Sequence, residues 1–309
     1  METHPNPSRP APPSAKTSWP RQYLVIVLVA LGISLLFSPP TFRTERATGA
    51  GAAEGLPQIK TDSRLTVRLA QTLGEGNFQV AVKDMKTGET YRFGKEKTFD
   101  AASTMKLLFA AYLYQQVDAG QFDLDESVTI PVSQFDRYGT GTIQYQKEPY
   151  RGTWRDLARL MIEQSDNTAA HHIAQKLEIE NLQEFADDHG LGLTSVADNT
   201  TTPDDMVKLL EDLHRGKIAG PEQTGSLLGI LDDSAFEDRL PALLPDGAKV
   251  YHKTGDAFGG GLHDAGLVEY RGHTYAVAIF TDRQGGDQAN TKSRMAEASR
   301  DIFAYFNRD

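Results

Sequence analysis

Apolar positions change their period several times along the chain. From Tyr23 to Phe37 they run with no polar stripe, and nothing is charged from Gln22 to Phe42, a stretch of 21 residues. Ser63–Leu73 places Leu65, Val67, Leu69 and Leu73 at helical spacing, with Asp62 or Ser63 as cap. Phe78–Met85 alternates through Phe78, Val80 and Val82, and the turn Lys86–Glu89 joins it to Thr90–Phe93, which predicts a hairpin. Thr104–Gln116 is apolar nearly all round, the mark of a buried helix. Residues 154–214 hold several helical patterns separated by short polar breaks. Thr202 caps the last of them, with Pro203 at its first position. The period then falls to two over Lys249–Lys253, Leu262–Tyr270 and Thr274–Thr281, and Tyr270–His273 turns between the last two strands. Finally Lys292–Phe306 puts Met295, Ala298, Ile302 and Phe306 on one face of a C-terminal helix.

This order predicts an α/β chain of the α+β kind. It would have one antiparallel sheet flanked by N- and C-terminal helices, with an all-helical lobe inserted. The sheet lobe takes about 61–98 and 247–309, the helical lobe about 99–246. Residues 1–22 carry six prolines and read as a disordered cytoplasmic tail. Residues 23–42 read as a transmembrane anchor, since a membrane helix takes about 20 residues. Residues 43–60, Gly/Ala-rich, read as a flexible linker. Arg9, Lys16 and Arg21 against Glu2 place the N-terminus inside and the folded part outside. The alternative is a cleaved signal segment and secretion, because the apolar core is short, although Ala50-Gly51-Ala52 lies far from it.

Composition narrows the chemistry. The chain has no cysteine, which excludes disulfides, thiolate catalysis and Cys-ligated metals. Its formal charge is −10, and residues 60–309 hold 27 basic and 39 acidic residues, a charge of −12. Nucleic acid is therefore not expected as a partner. No repeat, HExxH or Walker motif occurs, no metal or cofactor is implied, and a monomer is expected. His171 and His172 are adjacent on a helix, a poor metal pair. Asp187-Asp188-His189 reads as a solvated helix end.

Three short motifs carry chemistry. Ser103-Thr104-Met105-Lys106 sits at the start of the predicted buried helix. Positions i and i+3 share a helical face, so a hydroxyl and an amine can meet there. A serine needs such a base to become a nucleophile, and a lysine serves if burial lowers its pKa. Ser165-Asp166-Asn167 falls in a polar break between two helices. Lys253-Thr254-Gly255 ends a strand and opens onto Gly259-Gly260-Gly261. Taken singly these are a cap, an Asx-turn and a strand-end turn.

Together, and in this order, S-x-x-K, S-D-N and K-T-G resemble the class A β-lactamases and penicillin-binding proteins. Asp125, the stretch Tyr138–Gly141, Asp156–Met161 and Thr200–Pro203 extend the resemblance over the whole folded part. The resemblance implies a β-lactamase/transpeptidase-like fold and a serine hydrolase domain, and with the anchor read above the expectation is a single-pass protein of the bacterial cell membrane with that domain extracytoplasmic. It implies Ser103 as acylated nucleophile, Lys106 as its base, Ser165 as proton relay to the leaving nitrogen, and Asn167 as a holder of Lys106 and substrate. Lys253 and Thr254 would bind the substrate carboxylate, and Tyr138 would wall the pocket. Gly255 completes the K-T-G motif, and the backbone N–H groups of Ser103 and Asp256 would form the oxyanion hole. The substrate would be a β-lactam or a peptidoglycan-type peptide. Two lysines facing one cleft would depress each other's pKa, favouring a neutral Lys106.

The chain departs from that pattern twice. The lactamases follow a loop Glu, four residues on, with Asn. Here Glu178, Glu180 and Glu184 are followed at that distance by Leu182, Glu184 and Asp188. That Glu activates the deacylating water, so slow deacylation is expected. Second, residues 254–270 hold no Arg to clamp the carboxylate, for which Arg283 or His263 are the substitutes. The competing reading is a non-turnover penicillin-binding or cell-wall-binding module.

Overall fold

The computed structural model describes residues 63–74, 77–282 and 287–307. The tail, the 23–42 segment, the linker and Arg283 lie outside the described residues. Among the described residues no helix is long and apolar enough to cross a membrane. In chain order the elements are α1 (Ser63–Leu73), β1 (Phe78–Asp84), β2 (Thr90–Phe93), β3 (Phe99–Asp100), α2 (Lys106–Asp118), β4 (Ser127–Ile130), β5 (Tyr150–Thr153), α3 (Trp154–Glu163), α4 (Asn167–Leu177), α5 (Ile179–Asp188), β6 (Thr200–Thr201), α6 (Pro203–His214), α7 (Pro221–Asp232), β7 (Lys249–Asp256), β8 (Leu262–Tyr270), β9 (His273–Thr281) and α8 (Gln288–Phe306).

Five strands form one sheet in the order β2-β1-β9-β8-β7, every pair antiparallel. Successive strand side chains point to opposite faces, so the sheet feeds two cores. Phe78, Val80 and Val82 of β1 join Val277 and Ile279 of β9 on one face. They pack there against Leu65, Leu69 and Leu73 of α1 and Met295, Ala298 and Ile302 of α8. Ala81, Ala276, Ala278 and Phe280 face the other core. The alanines leave room for α6, which lies against β1 and β9.

The second core surrounds α2. Leu107, Leu108, Ala110, Ala111 and Leu113 are all buried, and α3, α4, α5 and α7 pack around them. Each large apolar side chain so buried stabilises by about 1.5–3 kcal/mol. The helices of this layer are closed by their own caps. Thr153 and Asp156 form a capping box on α3, and the Thr202 side chain accepts the Asp205 N–H at 3.1 Å on α6.

Four features differ from the sequence expectation. The predicted helix over 104–116 opens instead as a 3₁₀ turn, Ala102–Met105, and is α-helical only from Lys106. Asp100 Oδ1 accepts the Ala102 N–H at 3.0 Å, and Ala102 takes φ +48°, which sets the tighter turn. Strand β7 runs on to Asp256. The short pairings β3–β6 and β4–β5 are not among the expected elements, since strands of two to four residues are too short for a period to stand out. Finally, the Asp187–His189 helix end is not solvated at His189. Its Nδ1 lies 3.0 Å from buried Asp212, and its ring packs 4.5 Å from that of Phe185.

Candidate active site

The site forms where the 3₁₀ turn, the α3–α4 break and the end of β7 converge. Ser103 is carried by the turn and is partly exposed, while Lys106, the first residue of α2, is buried. Lys106 Nζ donates to the Ser165 carbonyl at 2.7 Å and to Asn167 Oδ1 at 2.9 Å, and lies 3.2 Å from the Ser165 hydroxyl Oγ. The hydroxyl and amide of the second motif thus both reach the lysine of the first.

Ser165 is aimed there by backbone strain. It adopts φ +55°, and a non-glycine residue in such a region costs about 1–3 kcal/mol. Its neighbour holds it in place. Asp166 Oδ1 caps α4 by accepting the Ala169 N–H at 3.0 Å, while Oδ2 accepts the Ile143 N–H at 2.9 Å. The Tyr138–Gly141 loop lies directly on this turn. Thr140 Oγ1 donates to the Ser165 carbonyl at 2.7 Å, and Asn167 Nδ2 donates to the Tyr138 carbonyl at 3.2 Å. A Cβ at Gly139 would meet Asn167 Nδ2 at 2.3 Å, and one at Gly141 would meet Asp166 Oδ2 at 2.2 Å. Those two glycines are what let the loop close.

The third motif sits behind the turn. A Cβ on Gly255 would stand 3.0 Å from both the Ala101 carbonyl and the Thr104 nitrogen, so a side chain there would push β7 and the nucleophile's turn apart by a few tenths of an ångström. Lys253 is 1% exposed. Its Nζ donates to the Thr254 carbonyl at 2.9 Å and lies 5.7 Å from the Phe236 ring centroid.

These placements set the charges. Burial pushes Lys106 well below the ordinary lysine range, and the nearby Lys253 charge pushes it further, against the pull of Asp166 and Asp136. Burial likewise brings Lys253 down to about 7, with Arg239 helping and Asp264 and Asp256 opposing. A lysine freed of its proton beside a serine hydroxyl is a general base.

Ser103, Lys106, Ser165, Asn167, Thr254, Asp256 and Tyr138 all line one cavity of about 540 Å³. Lys253 and Gly255 lie in the wall behind it. Of the two expected substitutes for a carboxylate-binding arginine, Arg283 lies outside the described residues and His263 does not serve. His263 is buried, stacked on Phe280 at 4.3 Å, and spends its ring nitrogens on the Asp100 carbonyl and the Thr281 N–H. Burial drives it to about 4, so it is neutral. The cation that sequence reasoning missed is Arg239, which is 1% exposed. Its guanidinium donates to the carbonyls of Gly255 and His263 at 3.2 and 2.7 Å and to the Asp256 carboxylate. It comes from an irregular segment before β7, where nothing in the local pattern marks it. Asp136, His171, Asp198 and Phe258 also line the cavity and were missed. His171 was discounted only as half of a metal pair.

Comparison with known proteins gives the family and the fold. A model of the β-lactamase enzyme family matches residues 61–306. The β-lactamase AER-1 of Aeromonas hydrophila is 26% identical over 192 residues, 57% of this chain. That match spans 63% of the length of AER-1. Among solved structures, PBP-A is 28% identical with a TM-score of 0.74, covering 82% of this chain and 100% of its own. A mutant of PBP-A, an acyl-enzyme complex with penicillin G, is likewise 28% identical, with a TM-score of 0.73 over the same 82% and 100%. An ancestral class A β-lactamase is 26% identical with a TM-score of 0.73, covering 78% of this chain and 100% of its own. The family match takes in all three motifs and nearly the whole of the described fold, and the chain belongs to the β-lactamase enzyme family.

Proposed function

We propose that this chain is a membrane-anchored, extracytoplasmic serine hydrolase acylated at Ser103 by β-lactams or by D-alanyl-peptide-like amides, and that it deacylates slowly. The observation that carries the reading is the buried Lys106, bonded to both Ser165 and Asn167 in the cavity that Ser103 lines.

In this reading neutral Lys106 takes the Ser103 hydroxyl proton as Oγ attacks the substrate carbonyl. The proton passes through Ser165, 3.2 Å from Lys106 Nζ, to the leaving nitrogen as the C–N bond breaks. The Ser103 and Asp256 N–H groups receive the developing oxyanion, an interaction worth about 10²–10³ in rate per donor. Thr254 receives the substrate carboxylate and the Lys253 ammonium attracts it from the wall behind, while buried Arg239, paired with Asp238 and Asp256, fixes the backbone at Gly255. Slow deacylation follows from the cavity's acids. Among the described residues that line it they are Asp100, Asp136, Asp198 and Asp256, with no glutamate.

The test is intact mass of the folded domain over time with a penicillin. A persistent adduct that maps to Ser103, and is lost in Ser103→Ala, is the expected result. A transient adduct with hydrolysed drug overturns slow turnover. No adduct at all overturns the acylation reading and leaves a binding module. For the anchor, the full chain expressed in a bacterium should sediment with membranes, while residues 61–309 should not.

A further inference from the structure

His171 and Asp136 are not used by the acylation steps above, yet both line the cavity with Ser103. His171 sits on α4 four residues after Asn167, so the two share a helical face one turn apart. Asn167 is bonded to Lys106, which puts the imidazole one turn from the acylation centre. His171 Nδ1 lies 3.5 Å from Asp136 Oδ2. Asp136 is itself tied to the same helix, because its N–H donates to Thr168 Oγ1 at 2.9 Å. A carboxylate facing Nδ1 favours the tautomer with the proton there and the lone pair on Nε2. Among the described residues nothing hydrogen-bonds to that Nε2. The His171 side chain is 47% exposed and that of Asp136 15%, so solvent water reaches the ring while the carboxylate is held.

We propose that His171 is the general base that activates the deacylating water, with Asp136 as its positioning residue. This rests on the acylation reading and supplies a base where the cavity holds no glutamate. Water oxygen bonds to the acyl carbon as His171 Nε2 takes one of its protons. The bond from that carbon to Ser103 Oγ then breaks. The leaving oxygen takes a proton from the Ser165–Lys106 pair, which the imidazolium replenishes through cleft water. The net change is ester plus water to carboxylic acid plus free Ser103.

The pH dependence is fixed by the groups that face the ring. These are Asp136 from the loop after β4 and His172, with its ring centroid 6.0 Å away on α4 itself. The Asp136 carboxylate raises the His171 pKa against the effect of burial. Only the neutral ring is a base, so deacylation should fall as pH drops through that raised value.

The experiment measures acyl-enzyme lifetime against pH by intact mass, using a penicillin adduct of wild type, His171→Gln, Asp136→Asn and Asp198→Asn. His171→Gln should form the adduct and then hold it about 10²-fold longer, the usual loss for a general base. It should also lose the acid limb of the profile. Asp136→Asn should move that limb to lower pH. Asp198→Asn should behave as wild type. Equal lifetimes for wild type and His171→Gln, a wild-type adduct that never turns over, or a long-lived adduct only in Asp198→Asn would each overturn the role of His171 and leave acylation standing. No adduct in wild type would instead remove the acylation reading and this role with it.

Discussion

Lys106 and Lys253 are two amines held near one another, and burial lowers the pKa of both. The signs differ in use, because Lys106 must lose its proton to act as base whereas Lys253 must keep its own to attract a carboxylate. Lys253 titrates at about 7. It is charged below that value and neutral above it, so capture of carboxylate-bearing substrates should weaken as pH rises through 7. The second-order rate of adduct formation should show an alkaline limb there, falling about tenfold per unit once the charged fraction is small. Lys253→Arg, whose guanidinium stays charged, should lose that limb, and a limb unchanged in this variant would assign it to another group. Lys106→Ala should slow acylation by about 10²–10⁴-fold, the range of a general base. Normal labelling of that variant would defeat the base assignment.

At the scale of elements, the site depends on how closely three backbones approach. Gly255→Ala would force a methyl to 3.0 Å from the Ala101 carbonyl and the Thr104 nitrogen. Overpacking of this kind costs about 1–3 kcal/mol. Thermal unfolding should register that loss, and adduct formation should slow as the turn carrying Ser103 is pushed from β7. These elements were unevenly legible in the sequence. Helix α1 was readable because one face of it carries the apolar residues, and hairpin β1–β2 because its large apolar residues, Phe78, Val80 and Val82, all point to one core and so recur every second position. The helix after Ser103 was readable as buried, but its 3₁₀ opening was not, since it arises from a hydrogen bond to Asp100 and a positive φ at Ala102. The three motifs marked the cavity because each places reactive side chains at an element edge. Arg239 was illegible because its meaning comes from partners on β7 and β8. His171 was illegible because Asp136 approaches it from a loop 35 positions earlier.

Across the whole domain, the sheet's far side carries a buried charge pair. His252 and Asp264 are each fully buried, with Nδ1 2.8 Å from Oδ1. Burial alone would drive His252 down, but the carboxylate's charge and hydrogen bond raise it to about 9. This pair's contribution to stability is complete below pH 6.5 and is lost as pH rises through about 9. Lys253, depressed in the fold, changes the balance in the opposite sense between about 7 and 10.5. The informative quantity is therefore the difference in melting temperature between wild type and His252→Gln, which should shrink from pH 6.5 to pH 10. A constant difference would mean that the pair acts through packing alone. The cavity's own assembly has a further consequence. Its walls come from residues as separate along the chain as Ser103, Ser165 and Thr254, so no fragment of the polypeptide holds a partial catalyst. Covalent labelling of Ser103 by a fluorescent penicillin would then count natively folded molecules one by one, and a cell extract could be assayed for correct maturation without purifying anything.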